Sequence, residues 1–236
     1  MRPRMKNGSW LTPFERVGPK STKGFCEANA AIYTHFVPQD VPGLVSLFGG
    51  PEKYVAAFDE QFQRAAKSNF FSEPVYQWVD YGNQPSTAMA HMFNLAGAPW
   101  LSQKWVRAVK QQTFGDITPY GGYLGDEDQG QMGSVSALMA IGLFDVQGGA
   151  AVKPTYQITA PVFDRVTIHL NPDYFPGREF TIVTRNNSPE NIYIQRAWLN
   201  GKPLERCWFE HADLVCGGKL EIELGPQPNR AWGLGK

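Results

Sequence analysis

Residues 125–132 read Gly-Asp-Glu-Asp-Gln-Gly-Gln-Met, with three carboxylates in consecutive positions ahead of a small and apolar run. Like charges this close repel, and each raises its neighbours' pKa unless a cation or a substrate hydroxyl satisfies it. Two uses remain open: a solvated acidic loop that caps the next helix, or a catalytic loop. In an extended loop alternate side chains point the same way. Asp126 and Asp128 could then face one cavity with Glu127 turned aside, one activating a water and the other orienting it. An EF-hand is excluded. Counted from Asp126, that loop needs Gly at its sixth position and Glu at its twelfth, and this chain has Gln131 and Ala137 there.

Two other stretches carry matching chemistry. Glu27 opens the apolar, aromatic-rich run 25–40. Desolvation there would raise its pKa toward what a general acid needs at neutral pH. A carboxylate in a helix first turn, favoured by the dipole, is the plainer use. Asn83 and Gln84 precede Pro85 in Val-Asp-Tyr-Gly-Asn-Gln-Pro-Ser-Thr (79–87), so amide oxygens sit on a rigid turn. Such oxygens suit a sugar hydroxyl or a hard cation; a helix N-cap is the alternative. An acid at Glu27 with water-activating carboxylates elsewhere meets the requirement for glycoside hydrolysis with inversion, two carboxyls roughly 6.5–9.5 Å apart.

Other chemistries fall away. The four His are scattered without ligand or triad spacing, no Gly-x-Ser-x-Gly elbow occurs, and the Gly-rich stretches match no phosphate-binding loop. Three Cys without a Cys-x-x-Cys or Cys/His cluster argue against a zinc site; Cys207 and Cys216 could pair, leaving Cys26 free. The chain has 22 basic and 22 acidic residues, which argues against nucleic acid or an anionic membrane as partner. No apolar run is long enough to span a bilayer, and residues 1–10 have no apolar core of a signal peptide.

The elements that must position these residues change period along the chain. With 236 residues, 42% of them hydrophobic, a sizeable core can form in one large or two modest domains. Residues 40–144 read as helical: 51–68, 85–100, 102–114 and 129–144 carry apolar residues at helical spacing. The last has small residues on its other sides, which predicts a buried helix. From about 154 the period becomes two, over 165–170, 179–186, 191–200 and 219–225, with turn residues between. The expected fold class is α+β, with a boundary at 150/151 inside the 146–155 linker and an antiparallel β-unit after it. Residues 1–24 have no period, so further chain is expected upstream of them.

Several of these segments, in this order, resemble glycoside hydrolase family 92. They are 24–50, Asp-Tyr-Gly-Asn-Gln-Pro-Ser-Thr (80–87), 93–109, 120–146, 161–170 and 186–204, together with Met-Arg-Pro-Arg at the start. The Gly-Asp-Glu-Asp-x-Gly-Gln-Met motif is the most specific. The resemblance implies a calcium-dependent, inverting, exo-acting α-mannosidase acting on mannose-containing glycans outside the cytoplasm. It also implies that this chain is the C-terminal part of an (α/α)6 barrel (1–150) followed by a closing antiparallel β-segment (151–236). An N-terminal β-sandwich and earlier barrel helices would lie elsewhere.

Carried over, Glu27 is the general acid, Asp128 the base and Asp126 its assistant. Asn83 and Gln84 stand near the Ca2+, and Asn29, Asp40 and Gln131 are the expected substrate contacts. The chain departs from the family where Glu27-Ala28-Asn29-Ala30-Ala31-Ile32-Tyr33 and Val37-Pro38-Gln39-Asp40 replace a Trp, a Gln and a His around the acid. Ser86-Thr87-Ala88 also lacks the histidines often found after the proline. Substrate contacts and linkage preference are what those changes touch. The competing reading is a non-catalytic remnant or glycan-binding half-domain.

Overall fold

The computed structural model describes residues 1–18, 23–71, 78–118 and 120–235. Its helices are α1 (Ala30–Tyr33), α2 (Val41–Leu47), α3 (Pro51–Ala65), α4 (Met92–Leu95), α5 (Pro99–Thr113), α6 (Gln131–Ile141) and α7 (His211–Val215). Its strands are β1 (Leu143–Phe144), β2 (Thr155–Ile158), β3 (Arg165–His169), β4 (Glu179–Arg185), β5 (Tyr193–Leu199), β6 (Lys202–Pro203), β7 (Trp208–Glu210) and β8 (Gly218–Gly225). The chain divides into two compact units, one of residues 1–89 and 108–134, the other of 90–107 and 135–236.

The first unit is organised by α3. Pro51 starts it without needing an N–H, and Tyr54, Phe58, Phe62 and Ala65 form its buried face. Phe58, Phe62, Phe70, Tyr81 and Phe114 then meet ring to ring at centroid distances of 5.1 to 6.5 Å. Aromatic pairs at these distances add about 0.5–1.5 kcal/mol each beyond the area they bury. The ladder passes through Tyr81, whose backbone N–H donates to the Phe70 carbonyl at 2.8 Å. The turn that carries Asn83 and Gln84 is therefore anchored in the core.

In the second unit a three-stranded antiparallel sheet has the order β1-β2-β7, and a five-stranded sheet the order β3-β4-β8-β5-β6. β8 alternates as its sequence demands, with Leu220, Ile222 and Leu224 buried and Lys219, Glu221 and Glu223 on the other face. The β-unit is not wholly antiparallel, however. β8 lies between β4 and β5, antiparallel to β5 and parallel to β4. The connection after β4 leads to β5 on the far side of β8, so β4 and β5 do not pair directly. Cys207 is buried, Cys216 is exposed, and both are free, so the pairing considered from their spacing is absent.

Compactness and period divide the chain differently. α4 and the first part of α5 belong with the β-unit because buried polar side chains tie them to it. Asn94 donates to the Ile158 and Cys207 carbonyls at 3.1 and 3.3 Å, Gln103 accepts from the Ile194 N–H at 2.8 Å, and Arg107 donates to the Pro161 carbonyl at 2.6 Å. The helix expected over 85–100 is broken into short 3-10 turns at Gln84–Ser86 and Met89–His91 before α4. The stretch read as helix to 144 ends at 141, where Gly142 at φ +77° turns the chain into β1. α6 is buried on one face only, through Met132, Val135 and Met139, while Gly133, Ser134 and Ala137 are exposed.

Candidate active site

Three loops of the first unit carry the candidate residues, and each is fixed by its own local chemistry. Asn29 is the N-cap of α1, its side-chain oxygen accepting from the N–H groups of Ala31 and Ile32 at 2.9 and 3.2 Å. Its amide nitrogen donates to the Gly18 carbonyl at 3.0 Å, and the residue is fully buried. Both ends of the Asn29 amide thus serve the fold and hold the Glu27 loop. Glu27, two residues earlier, has φ 56° and is exposed. The apolar run starts one residue later, at buried Ala28, so the desolvation expected around Glu27 is not supplied by the described residues.

In the second loop Asp80 accepts from the Gly82 N–H at 2.9 Å, an Asx turn. Asn83 closes that turn by accepting from the Gln84 N–H at 2.9 Å. Its amide nitrogen reaches across to donate to the Glu27 carbonyl at 2.7 Å. The third loop meets the second at Gly125, φ +75°, where an added Cβ would stand 2.5 Å from the Gly82 carbonyl oxygen. Only glycine permits that approach. The loops of Glu27, Asn83 and Asp126–Asp128, far apart in sequence, are thus linked by one hydrogen bond and one backbone contact.

The three consecutive carboxylates divide their work. Glu127 accepts from the Gly130 N–H at 2.6 Å and so caps the turn leading into α6, while the Asp128 carbonyl accepts from the Gln131 N–H at 3.2 Å. Among the described residues the side chains of Asp126 and Asp128 form no hydrogen bond or ion pair. Asp128 has φ 55° and is half-buried, and Asp126 is exposed. The segment is a turn from Asp128 onward, not the extended run from which the shared side of the two aspartates was inferred.

Asp40 is exposed and is the N-cap of α2, accepting from the Gly43 N–H at 2.8 Å. Gln131 is the half-buried first residue of α6. Gln84 is exposed on the second loop. Beside Glu27, the Tyr33 hydroxyl donates to the Cys26 carbonyl at 2.8 Å. Its phenol pKa is raised, first by desolvation and then by the nearby Cys26 and Glu27.

Sequence reasoning missed Gln61. This α3 residue donates to the Ala31 carbonyl at 3.2 Å and the Trp78 carbonyl at 2.6 Å, and accepts from Arg16 at 2.9 Å. It holds the segments that carry the first two loops. A signal was present, because Gln61 is a polar residue within the apolar face of α3.

Residues 1–226 match the Glycosyl hydrolase family 92 catalytic domain. The chain belongs to that family. An uncharacterized secreted glycosidase of Arthroderma benhamiae is 32% identical over 247 residues, covering all of this chain and 29% of the relative. Among solved structures, a family GH92 α-mannosidase of Bacteroides thetaiotaomicron in complex with mannoimidazole has a TM-score of 0.85 at 25% identity. The match covers all of this chain and 31% of that one. A family GH92 inverting mannosidase of the same organism has a TM-score of 0.84 at 27% identity, covering all of this chain and 32% of that one. This member of the family thus spans about a third of the length of these relatives.

Calcium takes oxygen ligands, and the loops offer carboxylate and amide oxygens beside the free thiol of Cys26. The Asn83 oxygen accepts from the Gln84 N–H, and its nitrogen donates to the Glu27 carbonyl. Among the described residues no three His, Cys, Asp or Glu side chains group to hold a metal. Asn83 ties two loops together, and the second lone pair of its side-chain oxygen and the exposed Gln84 amide leave oxygen ligands of the kind calcium takes on this turn.

Proposed function

We propose that this chain is the acid- and base-bearing portion of an α-mannosidase that removes terminal α-linked mannose from glycans with inversion. The observation that supports it most is the joining of the Glu27, Asn83 and Gly125 loops. Glu27 donates a proton to the glycosidic oxygen as the bond from that oxygen to the anomeric carbon breaks. Asp128 takes a proton from a water whose oxygen bonds to that carbon from the opposite face, and Asp126 orients the water. The products are β-mannose and the leaving alcohol. Each general acid or base of this kind contributes about 10²–10⁴ in rate.

The relatives named as mannosidases support the substrate class, and the relative named as secreted supports a place outside the cytoplasm. Among the described residues no helix is long and apolar enough to cross a membrane. The remaining barrel helices and an N-terminal sandwich are proposed to come from chain outside these residues, as are the ligands that would complete a calcium site begun by Asn83 and Gln84. Exposure of Glu27 favours that division, since desolvating walls must then come from elsewhere.

The test is hydrolysis of α-1,2-linked mannobiose by the folded chain, with calcium and with a chelator, alongside Asp128→Ala. Release of β-mannose that this substitution abolishes, followed by proton NMR of the first-formed anomer, is the expected result. First-formed α-mannose would overturn inversion. Turnover unchanged by the chelator would overturn the calcium requirement, and no turnover would make this chain a remnant that does not act alone.

A further inference from the structure

Two Asn-x-Ser triplets occur in the chain, Asn7-Gly8-Ser9 and Asn186-Asn187-Ser188, and both leading asparagines are exposed. Such a triplet, with x other than proline, is the acceptor for an N-linked glycan when it lies on the surface. The structure treats the two differently. The Ser9 hydroxyl donates to the Asn7 side-chain oxygen at 2.8 Å, and the Ser9 N–H donates to the same atom at 3.1 Å. An amide oxygen has two lone pairs, so both bonds form at once. Together they draw electron density from the amide nitrogen and make its N–H more acidic. Among the described residues that nitrogen donates to nothing else.

The turn that holds this arrangement is closed by near neighbours. The Gly8 N–H donates to the Met5 carbonyl and the Met5 N–H to the Ser9 carbonyl, each at 2.8 Å. Arg4 donates to the Gly8 carbonyl through two nitrogens, at 3.2 and 3.0 Å, and Gly8 takes φ +84° at the bend. A hairpin forms in about 1–10 μs, so this one need not wait for the rest of the chain to fold. At the second triplet the serine is turned away. The Ser188 hydroxyl donates to the Glu190 carboxylate at 2.9 Å and accepts from the Asn191 N–H at 3.1 Å. It is thus spent on the residues after it and not on Asn186.

We propose that Asn7 is an N-glycosylation site and that Asn186 is not. This role rests on the proposed place outside the cytoplasm, since the transfer occurs on that side of the membrane. The donor is an oligosaccharide carried on a lipid diphosphate. The Asn7 amide nitrogen bonds to the anomeric carbon of its first sugar as the bond from that carbon to the diphosphate oxygen breaks. The lipid diphosphate leaves with the electron pair, and the amide proton passes to a base of the transferase. A glycan there needs the tip of the hairpin open to solvent, so chain outside these residues must leave 5–9 uncovered.

The test is to produce the 236-residue chain behind a secretory signal in a eukaryotic host and map its peptides before and after N-glycosidase, which turns a glycosylated asparagine into aspartate. Asn7 should carry glycan and Asn186 should not. Asn7→Gln and Ser9→Ala should each abolish the glycosidase-sensitive mobility shift, and Ser9→Thr, which keeps the hydroxyl, should retain it. Asn186→Gln should leave the shift whole. A translocated chain, its signal cleaved, that is bare at Asn7 overturns the site while leaving the placement outside the cytoplasm standing. Glycan at Asn186 overturns the distinction between the two serine hydroxyls. A chain that keeps its signal and never enters the compartment removes the placement itself, and the site falls with it.

Discussion

Glu27 and Asp128 both carry left-handed backbone, φ 56° and 55°, a region that costs an L-residue roughly 1–2 kcal/mol and that aspartate tolerates better than glutamate. Strain of this kind persists where the surroundings hold it and clusters at active sites. Glycine at position 27 would remove the steric penalty and add a backbone-entropy cost of about 0.5–1 kcal/mol. Glu27→Gly is therefore expected to keep the parent's stability or exceed it by up to about 1 kcal/mol, while hydrolysis is lost. Urea unfolding checks the first part. A loss above about 1 kcal/mol would show that Glu27's contacts outweigh its backbone strain.

At the scale of elements, α3 organises the first unit through one polar residue in its buried face. Gln61→Leu keeps the volume but leaves the Ala31 and Trp78 carbonyls and Arg16 without their partner. Unsatisfied buried groups cost about 1–3 kcal/mol, so a comparable loss in urea unfolding is expected, with reduced hydrolysis. Unchanged stability would mean that water replaces the amide. The same residue shows what was legible in the sequence. α3 and β8 follow directly from period because each has one buried face, and β3 alternates between half-buried and exposed residues. α5, β4 and β5 are also legible from their sequence pattern, although β4 buries residues on both faces and β5 is interrupted by a bulge. The three-loop convergence is not, since it depends on a side-chain clamp at Asn83 and a glycine contact between distant segments. Short elements such as α1, β6, β7 and α7 escaped because too few residues define a period. The parallel β4–β8 pair escaped because alternation carries no strand order.

Across the whole molecule, acid sensitivity should come from two buried imidazoles, one in each unit. His35 stacks on Phe58 at 4.2 Å and meets the Tyr54 hydroxyl at 3.3 Å. His91 stacks on Phe144 at 4.2 Å, and neither of its ring nitrogens has a partner among the described residues. Burial, the largest cause in both, pushes each pKa from 6.5 down to about 3; for His35 the positive charge of Arg16 adds to it. The unfolded chain therefore binds protons at a pH where the folded chain does not. Stability from these groups is complete above about pH 6.5 and falls as pH drops toward about 3. The slope approaches about 1.4 kcal/mol per pH unit for each group. Between about pH 6.5 and 5, before most carboxylates titrate, these two histidines should dominate the loss. His91→Phe should flatten the acid dependence of the second unit, and His35→Phe that of the first, when urea unfolding is followed over that window. A slope unchanged in both variants would place the acid sensitivity in other groups. Because His91 lies in the unit without the candidate carboxylates, His91→Phe also separates loss of fold from loss of chemistry. Its activity profile should keep the parent's shape while its unfolding curve does not.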